Sequence, residues 1–149
     1  MRLAALTVVL LLSGASYSQS LKYSSHFTAP VIANTANAPA LITITDSLYD
    51  TMHLADAGLE RDIFYQAYKG FLYLLSKNKL HNSDVLTIAD YSQSCNSKRL
   101  YVIDLVNLQV IYQTYVSHGK NSGGKFAQQF SNEKDSNKSS IGLDRKSVV

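Results

Sequence analysis

The stretch that most constrains the fold runs from Arg99 to Leu143, where a hairpin pattern leads into a long polar segment bearing glycine and serine. In RLYVIDL, Leu100, Val102 and Asp104 alternate with Tyr101, Ile103 and Leu105. The run is rich in β-branched and aromatic residues, which suit a pleated, half-buried surface. Val106-Asn107 lies where a tight turn is needed, and Asn tolerates the positive φ such turns use. The return strand is expected over residues 109–117, ending in His118-Gly119 and Ser122-Gly123-Gly124.

Upstream the pattern changes period. Val85–Tyr91 (VLTIADY) reads as a strand and residues 92–98 as a loop. Before them, Ile63, Phe64, Ala67, Tyr68, Phe71, Leu72, Leu74 and Leu75 recur at helical spacing and make a broad apolar face. This helix is expected to start near Glu60 and to close at Asn78, with Asp62 near its positive end and Lys77 near its negative end. Gly70 inside it costs roughly 1 kcal/mol relative to Ala, which calls for a close approach by another element. An earlier, weaker helix begins at Thr45 or Asp46 and stops at Gly58. LITIT at 41–45 reads either as a short strand or as the lead into that helix. The order helix, helix, strand, hairpin, loop predicts an α+β fold, a helix pair packed on a mainly antiparallel sheet.

Residues 1–20 read as a secretory signal: Arg2 supplies the charged start, and Leu3–Leu12 is apolar but too short to span a bilayer. Small residues around Ser18–Ser20 suit cleavage, and no Cys follows to take a lipid, so no stable membrane anchor is expected. Residues 21–44 read as a linker rich in Ala, Asn, Thr and Ser with both prolines. Residues 45–143 are expected to form the folded part. Residues 144–149 (DRKSVV) break the pattern and read as a non-native tail, with a genuine, divergent C-terminus as the alternative. With the two ends set aside the charges nearly balance, and no basic stripe remains to track phosphates; nucleic-acid binding is disfavoured.

The chemistry-bearing residues are few. His26, His53, His81 and His118 are widely separated, and Cys95 is the single cysteine, so no metal site or internal disulfide is expected and no cofactor is implied. Cys95 lies in the serine-rich SQSCNSK loop without an obvious base. His118, at a strand end beside glycines, could bond a ligand or orient a loop. Ser122-Gly123-Gly124 reads either as a backbone nest for an anion or as a flexible tip.

The series ADYSQSC, RLYVIDL, VSHGKNSG, FSN and SSIGL, in that order and spacing, resembles the murein L,D-transpeptidase catalytic domain family (YkuD-like) of envelope proteins. The resemblance covers about residues 46–143. It implies an exported protein of the periplasm or cell envelope whose partners are peptidoglycan stem peptides. It implies a cysteine acyl-transfer chemistry whose later His and Ser-x-Gly-Cys nucleophile motif do not occur in this sequence. The chain then reads as the front part of such an enzyme, with its sheet ending before the catalytic motif. A secreted, non-catalytic module that binds cell-wall peptide is the alternative. By the same resemblance, His118, Gly119, Ser122, Gly123, Ser139 and Ser140 are the candidate substrate-binding residues. No catalytic residue is assigned, and the oligomeric state is left open.

Overall fold

The computed structural model describes residues 38–143. The expected signal sequence, most of the expected linker and the tail DRKSVV lie outside them. Helix α1 spans Ala38–Thr51 and α2 spans Arg61–Ser76; strands β1 (Val85–Ala89), β2 (Leu100–Asp104) and β3 (Gln109–Thr114) follow. The strands form one antiparallel sheet in the order β1-β2-β3. The architecture is α+β, with a small, open sheet.

Helix α1 begins at Ala38, earlier than Thr45, and takes in both LITIT and the end of the expected linker. β-branched residues argue for a strand there, but their hydroxyls serve the helix instead. Thr43 and Thr45 donate to the carbonyls of Pro39 and Leu41, four residues back. Pro39 sits in the first turn, where its missing N–H costs no bond. The helix also stops earlier than Gly58. His53 takes φ +52°, its N–H bonds the Asp50 carbonyl, and the Leu54 N–H bonds that of Tyr49. That left-handed stop turns the chain and buries Met52, Leu54 and Leu59.

Helix α2 ends as expected. Asn78 is left-handed, its N–H bonds the Leu75 carbonyl, and the Lys79 N–H bonds that of Leu74. Its apolar face buries Phe64, Tyr68 and Phe71, whose rings stack in series at 5.8 and 5.9 Å. Opposite them lie Ile88 of β1, Tyr101 and Ile103 of β2, and Leu105 just beyond it. Burying each such side chain stabilises the fold by roughly 1.5–3 kcal/mol. At Gly70 the neighbour is Leu143, whose side chain fills the space a Cβ would need. The close approach is thus made by the end of the polar segment rather than by a strand.

The hairpin turns differently from the expectation. Leu108, not Asn107, takes the positive φ, at +52°. The cause is Asp104, whose carboxylate accepts the N–H groups of Val106 and Asn107 and the Asn107 side-chain amide. With Asn107 engaged in this way, the left-handed step passes to the next residue. A bulge at Ile111 then shifts the register between Val102 and Ile103.

Candidate functional site

The ends of three elements meet at one end of the sheet. Ala89 pairs with Leu100, and Leu100 pairs with Thr114. The chain leaving β1, the chain entering β2 and the chain leaving β3 therefore emerge together. Asp90 and Tyr91 come from the first, Arg99 from the second, and Val116, Ser117 and His118 from the third.

Asp90 is buried and organises the first loop. Its carboxylate accepts the Ser92 N–H and hydroxyl at 3.0 and 2.6 Å and the Gln93 amide at 2.8 Å. Its own N–H donates to the Arg99 carbonyl. Arg99 is 0% exposed. Its guanidinium donates to the Gln93 carbonyl at 2.7 Å and to the Val116 carbonyl at 3.2 and 3.0 Å. It lies 5.0 Å from the Tyr91 ring centre. Among the described residues no carboxylate lies within ion-pair distance of it. Carbonyl oxygens and a ring face thus hold its charge.

The remaining contact of Arg99 is His118, with Nδ1 2.7 Å away. The other ring nitrogen, Nε2, lies 3.2 Å from the Gly123 carbonyl. The Tyr91 ring stands edge-on to the imidazole, and the Tyr91 hydroxyl donates to the Ser117 carbonyl. Half-buried His118 is therefore tied on both sides.

The serine and glycine residues form a second set of ties. Ser122 is fully buried. Its N–H donates to the Gly119 carbonyl, its carbonyl accepts from Gln128 and Gln129, and its hydroxyl accepts the Ser139 N–H at 2.8 Å. The Ser139 hydroxyl in turn accepts the Gly119 N–H at 2.9 Å. Segment 119–122 is thereby laced to segment 136–139. Gly119 is required by this contact, since a Cβ there would meet the Asn137 carbonyl oxygen at 2.6 Å. Ser140 stands apart, its hydroxyl 3.5 Å from the Ser131 carbonyl. The backbone at Gly123 and Gly124 is exposed.

The structure thus brings together His118, Gly119, Ser122, Gly123 and Ser139, with Ser140 one residue further on. Arg99 and Tyr91 were not among the residues singled out from sequence. A signal for Arg99 exists: residues 99, 101, 103 and 105 share one face by the strand period, and all four are buried. Cys95 is half-buried and free, and its thiol faces the Asn96 side-chain oxygen at 3.5 Å. Both nitrogens of His118 are engaged elsewhere. Among the described residues no group of three or more His, Cys, Asp or Glu could hold a metal ion.

A sequence model of the L,D-transpeptidase catalytic domain matches residues 55–147. Neither curated proteins nor solved structures gave a match.

Proposed function

The chain belongs to the L,D-transpeptidase catalytic domain family, and from that premise we propose that it serves an exported acyl-transfer enzyme acting on peptidoglycan stem peptides. The observation that carries this reading is the match over 55–147, which takes in α2, the sheet and every loop of the site. In such chemistry a thiolate attacks the carbonyl of the peptide bond between an L- and a D-centre, the C–N bond breaks, and the D-residue leaves as its protonated amine. The resulting thioester then passes its acyl group to an amine or to water. Cys95 is not proposed as that thiolate, because among the described residues no imidazole is hydrogen-bonded to it. The proposed role of the laced loops is to flank the peptide, with the exposed backbone of Gly123 and Gly124 towards it and Gly119, Ser122 and Ser139 holding the shape. Ser140 lies on the same rim. Export rests on Arg2 and the apolar run Leu3–Leu12. No described helix is long and apolar enough to cross a membrane.

A non-catalytic wall-peptide module is the second reading, in which the exposed backbone of Gly123 and Gly124 binds the peptide without turnover. The test compares residues 1–149 with the same chain continued along its native reading frame past Gly142. Both are assayed on tetrapeptide-bearing muropeptides. Turnover by the continued chain, through a Ser-x-Gly-Cys motif in the added part, supports the enzyme. Binding without turnover by both supports the module, and neither binding nor turnover sinks both readings. Envelope protein that still begins at Met1 would rule out the cleaved signal.

A further inference from the structure

Arg99 is a buried cation with no acidic partner among the described residues, and its position is defined by what it holds. A guanidinium can only donate hydrogen bonds. The 2.7 Å contact with His118 Nδ1 therefore requires that Nδ1 carry the lone pair. The proton of the neutral imidazole then sits on Nε2, which faces the Gly123 carbonyl at 3.2 Å and donates to it. One side chain thus relays the fixed position of Arg99 to the tip of the Ser-Gly loop. Tyr91 supports both members of the relay, lying under the guanidinium and edge-on to the imidazole.

We propose that Arg99 and His118 are a positioning pair: His118 is held as the Nε2-protonated tautomer and presets the 117–124 loop, and it is not a general base. The proposal rests on the wall-peptide reading only for what the loop is preset to meet. A base needs a free lone pair pointing at the substrate, and the one lone pair of His118 points into a buried arginine. An arginine in this place costs desolvation of its charge, which three carbonyl contacts and a ring face offset. A lysine could not make the same forked grip on Val116 while reaching both Gln93 and His118.

The test uses the full chain and needs no substrate. Long-range nitrogen–proton correlation spectra of the His118 ring should show a single neutral tautomer protonated at Nε2. A proton on Nδ1, or rapid averaging of the two tautomers, would overturn the proposal without any variant being made. Amide exchange then tests the loop. His118→Leu, of similar bulk but without a donor, should speed exchange at Ser122 and Gln128 about tenfold, as expected for one lost hydrogen bond. The amides of β2 should be unaffected. His118→Gln, whose amide N–H reaches as far as Nε2, should recover most of that protection. Equal behaviour of the Leu and Gln variants, or a rise shared equally by β2, would show a merely space-filling role and overturn the pair. Failure of the chain to bind a muropeptide would bear on the wall-peptide reading alone.

Discussion

Asp104 shows how much one carboxylate can decide. Burial alone would push its carboxyl up, but bonds from the Asn107 N–H and side chain and from the Val106 N–H outweigh it. They hold the group below its ordinary value of 3.8. A depressed folded value means that the charged form favours the folded state. That stability is fully present above the unfolded value and is lost as pH falls through the folded one. The urea midpoint should therefore hold between pH 7 and 5 as far as this group is concerned and fall below about pH 4. Asp104→Ala should cost about 2–3 kcal/mol at pH 7 and shrink the acid loss; an unchanged acid limb would contradict the assignment. Tyr68 makes the opposite case. Its ring is fully buried, its hydroxyl has no partner among the described residues, and burial raises its pKa. Tyr68→Phe should stabilise the protein by about 1 kcal/mol and raise Tm by about 4 °C. A fall in Tm would mean that the hydroxyl has a partner, such as a bound water.

At the scale of elements, the laced loops depend on backbone contact more than on side chains. Gly119→Ala would force its Cβ against the Asn137 oxygen at 2.6 Å and the Lys138 carbon and Ser139 nitrogen at 2.8 Å. Those are backbone atoms and cannot swing aside. The substitution should cost about 1–3 kcal/mol and free segment 136–139, whereas Gly124→Ala, with nothing within 4 Å, should stay within about 0.5 kcal/mol. Chemical denaturation of the two variants checks the contrast, and equal costs would mean that the loops give way easily. This dependence also explains what the sequence could and could not convey. Helix α2 was legible because eight apolar residues repeat at its period and Asn78 can adopt the left-handed stop. Its strands were legible from alternation. The start of α1 was not, because local preference in LITIT favours a strand while packing and threonine back-bonds favour a helix. Nor was the turn at Leu108, where the Asp104 bonds overrule residue preference. The ties from Gly119 to Ser139 join residues twenty apart, and no local pattern carries them.

Among the described residues the two faces of the sheet are covered unequally, and a tendency to associate follows from that. One face of the sheet is sealed by the helices; the other carries Val102 and its cross-strand partner Tyr112, which is 68% exposed. Ile111 at the bulge and Tyr115 beyond the strand are also exposed, at 42% and 59%. All three lie on or just beyond β3, an edge strand of the sheet, so apolar surface and unpaired backbone groups coincide. Such an edge is a template for pairing with another chain. The same topology gathers Tyr91, Arg99 and His118 at one end of the sheet. The strand alternation was visible in the sequence only for Arg99, since Tyr91 and His118 lie beyond the ends of strands whose register the sequence does not state. The chain should therefore self-associate as its concentration rises, through β3 and not through the site. Ile111→Thr with Tyr112→Thr keeps β-propensity while removing apolar surface. The pair should suppress light scattering, leave Tm within about 2 °C, and preserve the His118 ring spectrum, because neither side chain is in the buried core. A fall in Tm by more than about 5 °C would show that these residues support the fold. Unchanged scattering would move the sticky surface elsewhere, with exposed Ile141 and Leu143 the next to replace.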